Sequence, residues 1–326
     1  MLFIENPNTD PYQNHALEEW LMDHFEEDCF MLWRNDKAIL LGKNQNVYSE
    51  INIPFAQEQD IKIVRRITGG GTVFTDTGNI MFTFISCDSK HDFANFRKFT
   101  APILRALHAL GIQAEFSGRN DLTIGGKKFS GNAQCRYGNK ILHHGTLMYQ
   151  ADTTELGRAL KAREIKLRDK GVSSIKSRVT NIAEYMKFPM DIEEFRSYLF
   201  NNVMKSIDGA SLYRLSSEEW DEVSAIAKQK YRQPAWIYGK SPQYNIYRET
   251  KFAGGIVEAY FDVSESRIRQ AGIFGDFFSN GEISDVEQVL KDVSYDPAAL
   301  RGALQKITIQ EYFRNISLDE LVSAFI

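Results

Sequence analysis

The stretch Asn120 to Gly131, NDLTIGGKKFSG, sets two glycines between two runs of strand-forming residues. Gly125-Gly126 in that place is the signal of a two-residue β-hairpin turn. Residues opposite each other in such a hairpin point to one face. The expected pairs are Ile124 with Lys127, Thr123 with Lys128, Leu122 with Phe129, and Asp121 with Ser130. Side chains alternate along a strand. One face then reads Asp121, Thr123, Lys128, Ser130, and the other Leu122, Ile124, Lys127, Phe129. Lys128 sits among polar groups, whereas Lys127 rides the edge of an apolar face with its amine in water. Of the adjacent lysines, Lys128 is the functional candidate. Taken alone, an exposed hairpin with solvated charges also explains the pair, since hairpin lysines are common.

Outward from the hairpin, the pattern alternates strands with a few helices. IQAEF precedes it and KILHHGTLMYQ follows it as further strands. CFMLWR, AILLG, KIVRR, TVF and NIMFTFI lie upstream. Asn8-Thr9-Asp10-Pro11 starts a helix that runs to about Phe25, with Ala16, Leu17, Trp20, Leu21 and Phe25 on one stripe. A second helix covers Phe96 to Leu110 and ends at Gly111. Further helices are expected near Asp191–Met204 and Ser216–Lys230. Between them, Arg163 to Arg178 is rich in bases and ends in small polar residues, as a loop over a phosphate site or a solvated loop would. YRQPAWIYGKSPQYN breaks the pattern with two prolines and a glycine. It places a boundary near Asn245, giving domains 1–245 and 246–326. The second carries strands around Asn245–Phe252, Gly255–Phe261 and Arg267–Phe274, then short helices.

Bulk composition narrows the class. A chain of 326 residues favours more than one domain, and 43% hydrophobic with 25% charged residues is ordinary for a soluble protein. A net charge of −4 gives no footprint for nucleic acid or an acidic membrane. Cys29, Cys87 and Cys135 are scattered, which suits a reducing compartment and neither a disulfide framework nor a zinc site. MLFIENPNTD lacks the regions of a secretory signal, and no apolar run spans a bilayer. A cytoplasmic enzyme is expected. No exposed apolar stripe is evident, so a monomer is expected.

RRITGGGTVF, Arg65 to Phe74, holds three successive glycines after two arginines. Such a backbone passes close to a ligand with its N–H groups turned toward it, and arginine suits carboxylate or phosphate. The segment therefore points to an anion, though a plain glycine-rich turn also fits. It is neither a P-loop nor a dinucleotide fingerprint. Asn79, after Asp76-Thr77-Gly78, more often closes its own turn than touches a ligand. Asn120 is a donor or acceptor at the hairpin start, and Asp121 is a candidate Mg²⁺ ligand together with phosphates. His143 and His144 are adjacent in a strand and face opposite ways, so one packed and one exposed histidine is the default. No GxSxG elbow surrounds a serine, and no partner base is marked for a cysteine.

Together these pieces resemble the lipoate–protein ligase family. In order, the match includes PYQNHALEEWL, LLGKNQNVYSEIN at Leu40 to Asn52, RRITGGGTVFTDTGN, SGRNDLTIGGKKFSGNAQ, HHGTLMY and KGVSSIKSRVTNI at Lys170 to Ile182. In the tail, WIYGKSPQYN, GGIVEAYFDV and IFGDFF resemble the family's accessory domain. The resemblance implies an α+β fold. Its catalytic domain would be like class II aminoacyl-tRNA synthetases and biotin ligases, with mixed and antiparallel sheets flanked by helices, followed by a small α+β C-terminal domain. It implies that lipoate (or octanoate) and MgATP give the acyl-adenylate. The acyl group then passes to a lysine of a lipoyl domain of a 2-oxoacid dehydrogenase E2 subunit or of a glycine-cleavage H protein.

Carried onto this chain, the resemblance makes Lys128 the catalytic lysine. Arg66, Thr68, Gly69, Gly70, Gly71, Val73, Phe74, Ser130 and Gly131 would line the acyl-adenylate. Asn79, Asn120 and Asp121 would hold the nucleotide side and Mg²⁺. His144, Gly145 and Thr146 would border the acyl pocket, and the loop ending in Ser177-Arg178 would close over the adenylate. Thr75 departs from the pattern, since many relatives carry histidine there. Two rivals share the fold. A lipoyl or octanoyl transferase would need a cysteine after the HG strand, and Tyr149 to Asn181 has none. A non-catalytic lipoate-binding homologue would have no use for Lys128, Asp121 and the three glycines together.

Overall fold

The computed structural model describes residues 1–87, 93–152, 154, 178–239 and 244–326. The basic loop expected from Arg163 onward lies outside the described residues as far as Ser177. The chain divides into two compact units. The first is Met1–Leu40, Ile51–Val64 and Val73–Ile237; the second is Leu41–Glu50, Arg65–Thr72 and Tyr238–Ile326. Two short segments from within the expected first domain thus cluster with the tail.

The first unit is built on strands β1 (Leu2–Glu5), β2 (Cys29–Trp33), β3 (Ala38–Leu41), β4 (Lys62–Arg65), β5 (Val73–Thr75), β6 (Asn79–Ser86), β7 (Ala114–Ser117), β8 (Asp121–Ile124), β9 (Lys127–Tyr137), β10 (Lys140–Met148) and β11 (Ser211–Tyr213). Eight of them form one mixed sheet in the order β11-β1-β2-β6-β10-β9-β8-β7, and β4-β3-β5 form a small one. β11, β1 and β2 run parallel; the other neighbours in the large sheet are antiparallel. β1 and β11 escaped sequence reading because strands of four and three residues are too short to show alternation.

One face of this sheet forms the core. Phe3, Phe30, Phe82, Phe84, Leu122 and Phe129 pack with Phe99, Ile103 and Leu107 of the helix Phe96–Ala109, and with Phe195, Leu199 and Val203 of the helix Ile192–Lys205. Fully burying each such side chain is worth roughly 1.5–3 kcal/mol, so this layer fixes the sheet's register. The first helix, Pro11–His24, begins as expected, with Asp10 accepting from the N–H groups of Tyr12 and Gln13 and proline in the first turn. Its stripe buries Ala16, Leu17, Trp20 and Leu21, but also His15 and Glu18. Phe25 lies one residue past the helix end and is only partly buried.

In the second unit, β12 (Ile246–Phe252), β13 (Gly255–Ser264) and β14 (Arg267–Gly275) form an antiparallel meander. Helices Ile283–Leu290, Pro297–Leu304, Ile309–Tyr312 and Leu318–Phe325 cover it, burying Phe261, Phe277, Leu304, Phe313 and Phe325. The segment 41–50 is tied in by Gly275 N–H to Asn44 O at 2.7 Å and by Asn44 Nδ2 to Ser279 Oγ at 2.9 Å. The whole is the α+β arrangement expected, a mixed sheet flanked by helices plus a small α+β tail.

Candidate active site

The hairpin of β8 and β9 turns at Gly125 and Gly126, whose φ angles are +55° and +76°. Two successive positive φ values define the tight turn that follows the strands' right-handed twist, and only glycine adopts both without strain. Ile124 opposes Lys127 and Thr123 opposes Lys128, as expected. The register then slips. Leu122 opposes Ser130 and Asp121 opposes Gly131, so Phe129 is an extra residue in β9. This bulge corrects the expected faces. Ser130 turns to the side of Leu122 and is buried, and Gly131 takes its place on the side of Asp121 and Lys128. The bulge keeps Phe129 in the core and still sets Lys128 beside Asp121. Lys128 Nζ lies 2.7 Å from Asp121 Oδ1, with both side chains over a third exposed.

Gly131 is glycine for a reason of space. A Cβ there would stand 3.0 Å from Lys128 Nζ and 3.1 Å from its Cε. The Gly131 N–H donates to Thr146 Oγ1 at 3.3 Å. Beyond the turn, Lys128 is held on its other side as well. Val179 pairs with it in parallel, and Thr180 N–H donates to Lys128 O at 2.9 Å. Arg178, the last residue of the expected basic loop, is therefore adjacent in sequence to the residue that pairs with Lys128.

Asn120 is locked to Asn132. Its Nδ2 donates to Asn132 O, and Asn132 Nδ2 returns a bond to Asn120 O at 3.0 Å. Asn132 also donates to Ser130 Oγ at 3.2 Å and accepts from His143 at 3.2 Å. Gln134 Nε2 donates to His143 Nδ1 at 2.9 Å, which makes Nε2 of that ring the protonated nitrogen. Burial first, and the neighbouring His144 second, push His143 well below the ordinary histidine range. Gly145 lies opposite Asn132 in the sheet, and a Cβ there would be 2.3 Å from Asn132 Oδ1. Asn79 closes its own turn, donating to Asp76 Oδ1 at 2.9 Å.

His143 and His144 do face opposite ways, but both are buried, because β10 is covered on both sides. His144 Nδ1 lies 2.9 Å from Glu18 Oε1, His15 Nδ1 lies 2.8 Å from Glu18 Oε2, and Thr83 Oγ1 donates to Oε1 at 2.7 Å. Burial opposes the charge on Glu18, yet His144 and His15 outweigh it and hold the carboxyl below the usual range. Sequence reading missed this cluster. Its visible signal was a glutamate set within the apolar stripe of the first helix. The ligand-type atoms of His15, Glu18 and His144 lie within 4.8 Å of one another, close enough to hold a metal ion. The two rings are instead bonded to the carboxylate.

The glycine segment belongs to the second unit. Arg66 Nε donates to Thr68 Oγ1 at 2.9 Å, and its Nη2 donates to Gly69 O at 2.9 Å and Gly71 O at 2.7 Å. Arg65 Nη1 donates to Gly42 O, Lys43 O and Gln45 O at 2.7–3.0 Å. Burial lowers Arg65 to about 10. Both guanidinium groups brace loop carbonyls, a role the sequence did not suggest. Val73 and Phe74 stand in β5 opposite Leu40 and Ile39. Thr75 is fully buried and accepts from Asn35 Nδ2 at 3.3 Å.

Comparison with known proteins identifies the family. The lipoyl protein ligase A/B catalytic domain matches residues 10–203, and the bacterial lipoate protein ligase C-terminus matches residues 241–325. The chain belongs to the lipoate–protein ligase family, and it is an enzyme of the ligase class. It is 41% identical over 325 residues to lipoate–protein ligase 1 of Staphylococcus aureus and 38% identical over 327 residues to lipoate-protein ligase LplJ of Bacillus subtilis. Each match covers 99% of both chains. Among solved structures it resembles P. falciparum LipL1 in complex with lipoate, with a TM-score of 0.82 and 26% identity over 99% of this chain and 98% of that one. A lipoate-protein ligase A bound with ATP shares the fold, with a TM-score of 0.63 and 21% identity over 73% of this chain and 98% of that one. No described helix is long and apolar enough to cross a membrane.

Proposed function

We propose that this ligase activates lipoate with MgATP and then transfers the lipoyl group to a lysine of a lipoyl domain or a glycine-cleavage H protein. In the first step a lipoate carboxylate oxygen bonds to the α-phosphorus and pyrophosphate leaves. In the second the acceptor's amine bonds to the acyl carbonyl and AMP leaves. The pairing of Lys128 with Asp121 over Gly131 carries this reading. An ammonium with room beneath it and a fixed carboxylate beside it is an electrostatic clamp for charge developing on the α-phosphate and acyl oxygen. Lys128 is thus a catalytic residue and not the acylated one. Asp121, half-exposed and strand-borne, fits Mg²⁺ bound by a single carboxylate with phosphates. Bound there, the ion would offset phosphate charge.

Within the first unit, Asn79 and Asn120 would serve the nucleotide side. Val73, Phe74, His144, Gly145 and Thr146 would border the acyl group, and Arg178 would end a loop that shields the adenylate from water. Within the second unit, Arg66, Thr68 and Gly69 to Gly71 would present backbone N–H groups to anionic oxygen. Residues 1–245 would form the catalytic domain and 246–326 the accessory one, in a cytoplasmic monomer. A cysteine-based transferase is disfavoured. Tyr149 to Asn181 holds no cysteine, Cys135 is buried in β9, and burial pushes Cys29 up to about 12 and raises Cys87 as well.

The test is lipoate-dependent ATP–pyrophosphate exchange by wild type, Lys128→Ala and Lys127→Ala. Exchange by wild type, its loss by orders of magnitude in Lys128→Ala and near-normal exchange in Lys127→Ala is the expected result. No exchange from folded wild type would overturn the self-sufficient ligase.

A further inference from the structure

The GKNQN motif, Gly42 to Asn46, has no role in the reaction as described. Its Gln45 is 0% exposed. One end of the side chain is fixed: Oε1 accepts from Gly42 N–H at 2.9 Å and from Thr72 Oγ1 at 2.8 Å. A backbone N–H only donates, so the oxygen must face Gly42, and Nε2 is the opposite end. That Nε2 is buried and has no hydrogen-bond partner among the described residues. A buried donor left unmade is costly to a fold and calls for an explanation.

The surroundings supply one. Thr72 ends the glycine segment, and Lys43 N–H donates to Thr68 O at 2.8 Å, so the loops 42–45 and 68–72 are stitched together. The guanidinium of Arg65 holds the carbonyl of Gln45 itself. Both Arg65 and Arg66 place positive charge in these loops, which favours an anionic oxygen. Beside Thr72, Gly71 has open space where a side chain would lie, so the segment has room to yield.

We propose that Gln45 is a ligand-binding residue, whose Nε2 donates to an anionic oxygen once Gly71 and Thr72 shift to admit it. The proposal rests on the acyl-adenylate reading above. The oxygen belongs to the lipoate carboxylate or to an ATP phosphate, and titration separates the two. Lipoate alone and a non-hydrolysable ATP analogue with Mg²⁺ are titrated calorimetrically into wild type and Gln45→Glu. That variant keeps Oε1 for Gly42 and replaces the donor with a negative oxygen. Affinity for one probe is expected to fall roughly tenfold to a hundredfold. A fall for lipoate assigns the carboxylate; a fall for the nucleotide assigns the phosphate. Wild type binding both probes with Gln45→Glu unaltered overturns the Gln45 assignment alone. Wild type binding neither overturns the ligase reading and this proposal with it. Should Gln45→Glu not fold, the side-chain amide of Gln45 is followed in wild type labelled with ¹⁵N-glutamine. A downfield shift of its proton on saturation with either probe is expected, and its absence with both overturns the proposal.

Discussion

Gly131→Ala separates the geometry of the lysine from the stability of the fold. The new Cβ would stand 3.0 Å from Lys128 Nζ and 3.1 Å from Cε, whereas unstrained carbon contacts lie near 3.5–4.0 Å. The lysine must therefore retreat by about half an ångström or more. The atoms that yield are the far end of a flexible, half-exposed side chain, so the core is untouched. The exposed Lys128–Asp121 pair is worth at most about 1 kcal/mol. Melting should then fall by no more than about 4 °C. Chemistry is less forgiving, because a misplacement near 1 Å costs on the order of 100-fold. The expected outcome is a roughly 10- to 100-fold loss in the rate of lipoate-dependent pyrophosphate exchange from a protein that melts almost normally. Wild-type exchange would refute the role of Lys128's position. A melting loss above about 8 °C would show that the glycine serves the fold.

Glu18→Ala should cost about 3–5 kcal/mol, because it leaves buried His15, His144 and Thr83 facing a vanished carboxylate. Glu193→Ala, which removes a half-exposed partner of Arg34, should cost under about 1 kcal/mol; denaturant titration of both checks the contrast. The folded Glu18 carboxyl is held below its unfolded value of about 4.5. Its contribution is thus full above that pH and is lost as pH falls further toward the folded value. Wild type should lose urea resistance below pH 4.5 more steeply than Glu18→Gln, and parallel curves would contradict the pairing. Gly145→Ala would set a Cβ 2.3 Å from Asn132 Oδ1 and 2.6 Å from the Phe82 ring, so a loss of about 1–3 kcal/mol or more is expected by thermal melting.

The sequence was most legible where chemistry is local. The paired glycines, the proline and aspartate at the first helix and Gly111 each act on their own backbone, and each appears where expected. The fate of Ser130 was not legible. Nothing in KKFSG announces a bulge, which arises because Phe129 must reach the core while Asp121 stays beside Lys128. Residue type alone points the arginine pair at an anion. The structure shows both guanidinium groups engaged with carbonyls: Arg66 folds back on Gly69 and Gly71 of its own segment, and Arg65 reaches Gly42, Lys43 and Gln45, which spacing does not encode. Glu18 and Gln45 were in view but silent, because their partners come from distant strands and loops. Lys128 itself needed both the alternation of the hairpin and the family resemblance.

The second unit is not a simple suffix of the gene. Leu41–Glu50 and Arg65–Thr72 are encoded near the start of the chain, yet they cluster with the tail: Asn44 accepts from the Gly275 N–H and donates to Ser279 Oγ, and Lys43 N–H bonds Thr68 O. A recombination that exchanged only the last eighty or so codons between relatives would separate these segments from the surfaces they grew up with. Heritable change in the tail is thereby tied to change in two early stretches, one of which carries the three glycines. Chimaeras joined near residue 240 should work best when those stretches travel with their own tail.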